Sequence, residues 1–527
     1  MHSILARPVI RLAVLAALIL FAYPPFPFGF LAWLIPAFVL GLLDRASIRD
    51  SFRYAWWFGF CMHLGLLYWA AWVSFPGMLA VAAVLGAYIG IVFALYAFIR
   101  RGVGPAAIWF WPVLWVAHEY LRGLGVLGFP WTNLSYTQTN YVNLIQTASV
   151  TGDLGVSLWV AYLNVLLFQL WRNRANPRIR LALIGIFCAM IILPFLYGKG
   201  EISRIDYTPR EVVTATVLQG DIDSYQKWDS AYVDFSFATY HALSYLAGEQ
   251  TSDLIIWPET AVPGYLRANT SRLRELQALS REVHTPILLG TLEYRTVGPG
   301  QYVYYNAAHQ AAAGRLGPQY HAKLQLVPMG EWIPFSDRVK ILKDIHVGQA
   351  DFTAGHEYVL FDHPQGPYAA LICFESAFPE LARNFVRRGA RFLVNITNDG
   401  WYGFTPGPYQ HAHMCVMRAI ENRIPLARSA NSGISMFVDR VGRIGNASDQ
   451  FIPDLRIDRV ALREEITLFT RYGMWVGRWC VAVTIVLFML VVARAATRKS
   501  AKPDPIRKVS GVSRPNATYN NHDRERK

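Results

Sequence analysis

The chain has 527 residues, of which 53% are apolar and 16% charged, and its mean hydropathy is +0.23. That is too apolar for a soluble enzyme and fits a partly membrane-buried one. The net charge is +14, but the basic residues fall mainly in short loops between apolar runs and near the C-terminus, which is a topology signal rather than a nucleic-acid groove.

Eight stretches have the length and apolarity of membrane spans: 8–24, 28–44, 55–74, 78–99, 105–121, 156–172, 181–198 and 474–494. The fifth is the least regular, because it holds Pro112, His118 and Glu119. The first is followed by Tyr23-Pro24-Pro25-Phe26-Pro27 rather than a small-residue cleavage site, so it reads as an uncleaved span. With the N-terminus cytoplasmic, Arg7 and Arg11, then Arg45, Arg49 and Arg53, then Arg100 and Arg101 lie inside. Arg172, Arg174, Arg178, Arg180 and the tail starting Arg494, Arg498, Lys499, Lys502 lie there too. The short outer segments are nearly free of Lys and Arg, Arg122 excepted. This pattern puts residues 199–473 outside the cytoplasm, periplasmic if the membrane is a bacterial inner one.

The expected organisation is an N-terminal transmembrane bundle over 1–200, an α/β block over 205–468, a last span at 474–494 and a basic, aperiodic cytoplasmic tail over 497–527, read as disordered. Within the block, Val212–Leu218, Leu254–Trp257, Pro286–Leu292, Tyr302–Ala308, Tyr368–Cys373, Phe392–Thr397 and Ile434–Asp439 read as strands, and Ala377–Arg388 as a helix. Strands punctuated by helices indicate one layered α/β domain with a central sheet. Sites in such sheets form where strands end, and Glu259, Cys373 and Asn398-Asp399 all lie just past apolar strands. Cys61, Cys188 and Cys480 fall in apolar runs, leaving Cys373 and Cys415 in the block. With an odd count of five and no Cys/His spacing for zinc, neither a disulfide framework nor a metal site is expected.

Cys373 stands at a strand–helix junction, where a helix N-terminus and nearby cations would lower its pKa and make it a nucleophile; the bland alternative is a buried structural cysteine. Glu259, after Trp257-Pro258, has the setting of a general base with a raised pKa in a partly apolar pocket, or of a plain surface carboxylate. Lys323 would stabilise an oxyanion if fixed, and is otherwise a solvated loop lysine. Glu331 is placed to orient Lys323. Glu375 would do the same or cap the helix after Cys373. A thiol with a base and a cation is the apparatus of acyl transfer.

Taken together, Trp257-Pro258-Glu259-Thr260, Lys323-Leu324, Pro328-Met329-Gly330-Glu331, Ile372-Cys373-Phe374-Glu375 and Thr397-Asn398-Asp399-Gly400-Trp401 resemble the nitrilase superfamily. The apolar N-terminal helices and the single C-terminal one are similar to its membrane branch, the apolipoprotein N-acyltransferases. The resemblance implies a bundle of about eight spans carrying an extracytoplasmic α-β-β-α sandwich in the bacterial inner membrane. It implies Cys373 as nucleophile, Glu259 as proton acceptor and Lys323 as oxyanion stabiliser. The acyl donor would be a membrane phospholipid and the acceptor a diacylglyceryl-apolipoprotein, with no cofactor, metal or nucleic acid; nothing demands an oligomer.

The resemblance further implies that Trp228 lies near the substrate opening and that Asn306 and Trp401 line the site. It matches Phe129-Pro130-Trp131 to an outward-facing loop near the lipid entrance, where Trp131 is otherwise an interfacial anchor. Phe374 replaces a frequent tyrosine; its aromatic face is expected to suffice, and its N–H to join Lys323 at the oxyanion. Apolar loops such as Phe335 or Trp401-Tyr402-Gly403-Phe404 would bridge membrane and site. A membrane-tethered amidase uses the same triad with water as acceptor. A non-enzymatic membrane scaffold is the alternative from another class.

Overall fold

The structure is a computed structural model, and it describes residues 8–207, 211–334 and 351–500. Most of the tail reading and Phe335 lie outside the described residues. Long apolar runs with few charges become helices: α1 (Pro8–Ile19), α2 (Leu31–Leu43), α3 (Ile48–Leu66), α4 (Phe75–Val103), α5 (Trp111–Arg122), α6 (Ala148–Arg172) and α7 (Pro177–Asp206). Each of the first seven expected spans therefore overlaps a helix, though the third, 55–74, runs on past the end of α3 into a 3-10 segment over Tyr68–Trp72. Among the described residues, four helices are long and apolar enough to cross a membrane: α4, α6, α7 and the last helix, which begins at Trp475. The fifth stretch breaks where its prolines fall, into a 3-10 turn over Pro105–Phe110 and a 12-residue α5 only about 18 Å long. Helix α7 exposes Leu181, Ile184, Leu193 and Leu196, a surface suited to hydrocarbon rather than water.

Asp44 pairs with Arg100 at 3.2 Å and Arg172 at 3.7 Å, which brings the C-terminal ends of α2, α4 and α6 together. The opposite loops, α3–α4 and α5–α6, touch the α/β domain. Arg122, the exception to the charge pattern, is buried there and donates to Thr132 Oγ1 and Asn133 Oδ1, both at 2.5 Å. It is an internal tie of the loop and not a loop surface charge. His63 likewise contacts Gly59 O at 2.7 Å and Thr132 Oγ1 at 3.1 Å, while Glu119 Oε1 accepts from Trp115 Nε1 and the Leu134 N–H, both at 2.9 Å.

The α/β domain follows as β1 (Val212–Gln219), α8 (Ser230–Gly248), β2 (Leu254–Ile256), β3 (Val262–Tyr265), α9 (Thr270–Glu282), β4 (Ile287–Gly298), β5 (Gln301–Ala312) and β6 (Arg315–Ala322). Then come β7 (Tyr368–Ile372), α10 (Pro379–Arg387), β8 (Phe392–Thr397), α11 (Gly407–Asn422), β9 (Leu426–Ala430), β10 (Met436–Val438), β11 (Ile444–Gly445) and β12 (Asp454–Ala461). Helices α12 (Leu468–Tyr472) and α13 (Trp475–Ser500) close the chain's described part.

The expected single central sheet is two sheets. One has seven strands in the order β12-β1-β2-β4-β5-β6, with β3 paired to β4; the other has five in the order β11-β10-β9-β8-β7. The reason lies in the strand faces. Val213, Ala215, Val217, Leu254, Ile256 and Leu288 point into the inter-sheet core, while the alternate Ile255, Ile287 and Leu289 meet α8 and α9. Strands buried on both faces leave no alternation in the sequence by which to count the layers. Ser429 Oγ of β9 donates to Leu218 O and Ile256 O across the gap. Helices α10 and α11 cover the second sheet, so the layers run α-β-β-α, as the resemblance implied.

Helix α11 also meets the bundle. Gln410 Oε1 accepts from Trp131 Nε1 at 2.8 Å and Trp69 Nε1 at 3.3 Å, and its amide donates to Leu66 O at 3.3 Å. Asp153 N donates to Glu421 Oε1 at 2.9 Å. Gln410→Ala strands two buried indole N–H groups, at about 1–3 kcal/mol for each left unpaired. A lowered melting midpoint in detergent, followed by tryptophan fluorescence, is the expected result; an unchanged midpoint refutes this account of the seam.

Candidate active site

Three chain reversals build the site, each just beyond a strand. Trp257 is fully buried and anchors the turn after β2, with Nε1 donating to Ser244 Oγ at 2.8 Å. Glu259 projects from that turn and Thr260 takes a left-handed φ of +47°. The turn lies so close to β4 that a Cβ on Gly290 would sit 2.7 Å from Glu259 Cα. Lys323 follows β6, and its N–H donates to Asn306 O of β5 at 2.9 Å. Glu331 sits in a tight turn with Met329 at φ +63°. Cys373 ends β7 with φ +51°, a conformation that turns the chain abruptly out of the strand and into a 3-10 turn over Cys373–Ala377.

These reversals bring the charged groups together. Lys323 Nζ donates to Glu259 Oε1 at 3.1 Å and Glu331 Oε1 at 2.8 Å. Asn306 Nδ2 donates to the same two oxygens, at 2.7 Å and 3.0 Å. The second oxygen of Glu259 accepts the Asn398 N–H at 3.0 Å, and that of Glu331 the Val327 N–H at 2.9 Å. Lys323 is 1% exposed, Glu259 6% and Cys373 7%. Burial opposes the Lys323 charge, but Glu259 and Glu331 outweigh it and hold its pKa well above the ordinary lysine value. Glu259 thus lies in a polar setting, not the partly apolar pocket expected.

The Cys373 thiol corrects another expectation. Burial, then the Glu259 charge, push its pKa well up, and Lys323 only partly offsets them. A five-residue 3-10 turn whose N-terminal end holds the Glu375 carboxylate does not act as the activating helix terminus anticipated. The thiol therefore rests protonated and requires a base. Its backbone is clamped: Cys373 O contacts His411 Nε2 at 3.0 Å and accepts from Ser376 Oγ at 3.1 Å. His411 Nδ1 meets Asp399 Oδ1 at 2.9 Å, and Arg428 Nη2 donates to Asp399 Oδ2 at 2.6 Å. Burial would raise the Asp399 pKa, but Arg428 and His411 hold it down, at about 2.

The remaining predicted residues divide. Glu375 does not bond Lys323; it ties two backbones together, accepting from Leu324 N at 2.5 Å and Ile372 N at 2.6 Å. Phe374 stacks on Trp131 with ring centroids 6.2 Å apart and meets Phe378 edge-on at 4.9 Å. Trp131 is 2% exposed, so it is no interfacial anchor: it is packed from the bundle against the residue after the thiol. Trp228 is half-buried beside Leu292, Leu326, Phe352 and Trp332. Trp401 packs edge-on against Tyr225, with ring centroids 4.8 Å apart. Sequence reasoning missed His411, Arg428 and Lys227, the last fully buried with Nζ bonded to Thr260 Oγ1. Lys227 stood directly before the flagged Trp228, and that adjacency was its only signal.

Comparison with known proteins bears on the same segments. Residues 15–166 match the apolipoprotein N-acyltransferase N-terminal domain, and residues 214–464 match the carbon-nitrogen hydrolase domain. An apolipoprotein N-acyltransferase of Geobacter metallireducens is 33% identical over 508 residues, covering 93% of this chain and 95% of the relative. One from Chlorobaculum tepidum is 30% identical over 497 residues, covering 88% and 92%. A solved amidase of the nitrilase superfamily from Nesterenkonia AN1 is 18% identical, with a TM-score of 0.38 over 52% of this chain and 98% of its own.

A thiol with a raised pKa is mostly unreactive at neutral pH. Iodoacetamide labelling of Cys373, followed by intact mass, should be slow at pH 7 and accelerate continuously from pH 6 to 8. Fast labelling that has already levelled off at pH 7 contradicts the raised pKa.

Proposed function

The chain belongs to the apolipoprotein N-acyltransferase family and is an acyltransferase, and on that premise we propose that it moves an acyl chain from a membrane phospholipid, through a thioester on Cys373, to the α-amine of S-diacylglyceryl-cysteine on an apolipoprotein. The observation that carries the proposal is the convergence of Glu259, Lys323 and Glu331 near a buried, backbone-clamped thiol whose next residue is packed by a bundle tryptophan.

Glu259 takes the Cys373 proton as sulfur attacks the ester carbonyl. The carbonyl electrons move to an oxyanion, stabilised by Lys323 and by the Phe374 N–H. As the oxyanion collapses, the C–O bond breaks and Glu259 returns the proton to the leaving oxygen, releasing lysophospholipid. The acceptor's neutral amine then attacks the thioester; a C–N bond forms, the C–S bond breaks, and Glu259 carries the amine proton to the departing sulfur. Glu331 and Asn306 position the pair through hydrogen bonds, Glu331 to Lys323 and Asn306 to Glu259 and Glu331.

A membrane bundle suits this chemistry. Lifting acyl tails into water costs roughly 0.8 kcal/mol per CH₂, so the tails remain in the bilayer while only the ester reaches the thiol. The reading is of about eight spans, both termini cytoplasmic and the α/β domain periplasmic, in a bacterial inner membrane. In this reading the bundle spans 1–200, the catalytic domain 205–468, the last span 474–494 and the cytoplasmic tail 497–527, and the unit acts as a monomer.

Incubation with phosphatidylethanolamine alone should add one hydroxylamine-sensitive acyl mass to the wild type and none to Cys373→Ala. A diacylglyceryl-cysteine peptide should clear it. Glu259→Gln should slow adduct formation by about 10²–10⁴-fold. Absence of both adduct and lysolipid refutes the thioester route, and clearance by water as fast as by peptide makes the protein a hydrolase. Trp401→Ala should slow transfer from long-chain lipid more than from a soluble thioester; equal slowing removes Trp401 from lipid handling.

A further inference from the structure

The hydrogen-bonded core of the site is not electrically balanced. With Glu259 and Glu331 ionised, Lys323 offsets only one of the two charges, so a buried cluster carries a net negative charge before any thiolate or oxyanion forms in it. Forming a further anion there is costly in a medium of low dielectric. Arg428, the other buried cation near Cys373, is committed to Asp399 at 2.6 Å. Lys227 forms no ion pair with a carboxylate among the described residues.

The position of Lys227 is built. Its side chain is 1% exposed and reaches Thr260 Oγ1, on the residue after Glu259, as its one side-chain hydrogen bond among the described residues. An ammonium has three donors, so the others are left for the site. Its Nζ lies 5.5 Å from the centre of the Trp228 ring, which closes one side. The carboxylate that acts on its charge is Glu259, from the turn after β2, and a thiolate formed on Cys373, at the end of β7, would act on it too. Its neighbours Asp223 and Asp229 are exposed at the surface, and Asp223 Oδ1 is occupied by the Tyr225 and Gln226 N–H groups.

We propose that Lys227 is the second positive charge of the active site: a positioning residue that neutralises the Glu259–Lys323–Glu331 cluster and so makes room for the negative charge that develops on the Cys373 sulfur and on the acyl oxygen. Nothing in a solvated surface lysine would require this; a lysine buried beside the base, with no carboxylate paired to it among the described residues, does. Burial draws its pKa down to about 8, with Glu259 and Cys373 opposing that fall. The charge is therefore present at neutral pH and lost as pH rises through about 8. The role rests on the thioester reading for its substrate and not for its electrostatics.

The test is the pH dependence of the first half-reaction, in which no acceptor amine takes part. Acyl-adduct formation from phosphatidylethanolamine is timed by intact mass for the full-length wild type, Lys227→Arg and Lys227→Met from pH 6 to 10. The wild type should show a falling basic limb near pH 8, the value of the Lys227 ammonium. In Lys227→Arg, whose guanidinium stays charged, the limb should move up by at least about one unit. Lys227→Met should be slowed about 10²-fold or more at pH 7. Iodoacetamide labelling of Cys373 at pH 7 needs no lipid and should slow about tenfold in Lys227→Met and recover in Lys227→Arg. A wild type without a basic limb, an unmoved limb in Lys227→Arg, or wild-type labelling in Lys227→Met overturns the proposal. A wild type that forms no adduct overturns the thioester reading instead, and the labelling rates then decide the role of Lys227.

Discussion

Two carboxylates sharing one buried ammonium is the interaction on which the rest of the structure depends. Glu259 comes from the turn after β2, while Lys323 and Glu331, eight residues apart, come from the segment after β6 some 64 residues further on, and all three must meet within hydrogen-bonding distance in a place nearly closed to water. An ion cluster of this kind contributes little to stability on its own, because desolvation offsets the Coulomb attraction. It demands geometry. Removing any partner strands a charge, so the surrounding turns are held tightly: by the Asn398 and Val327 N–H groups, by Asn306 between the acids, and by the close approach of Gly290 to the Glu259 turn.

The thiol is held by a second, separate set of charges. Asp399 is neutralised by Arg428 and braced by His411, and His411 reaches the Cys373 carbonyl. Through His411 this group touches the Cys373 backbone, which holds a left-handed φ of +51°. The division is physically sensible. Charges that fix the backbone are paired off in a closed group, while those that face the sulfur are left able to respond as its charge changes.

Helix α11 joins this arrangement to the membrane part. One face packs on the second sheet and carries His411, and the other offers Gln410 to two bundle tryptophans. Trp131 then stacks on Phe374, so an aromatic contact runs from the bundle loop to the residue after the thiol. That contact uses a ring and no hydroxyl, so phenylalanine provides it. A catalytic domain joined by one flexible tether would not impose such a register between site and bilayer.

Much of this was legible in the chain itself. The bundle helices and the strands at Val212, Leu254, Tyr368 and Phe392 followed from local hydrophobic runs, and Glu259 and Cys373 stood out at strand ends, while their grouping with Lys323 and Glu331 rested on the family resemblance. The number of sheets was not legible from the strands, because those buried on both faces lose the alternation that reports a layer. Nor was the direction of the Cys373 pKa, which depends on burial and on a carboxylate more than a hundred residues away. Lys227, His411 and Arg428 look like ordinary residues of a turn, a helix and a strand until folding closes water out around them. By itself the sequence determined which groups could do chemistry and which segments suit a bilayer. Only the tertiary structure decided which charges face one another without solvent, because the energy of a charge is set by what surrounds it in space rather than along the chain.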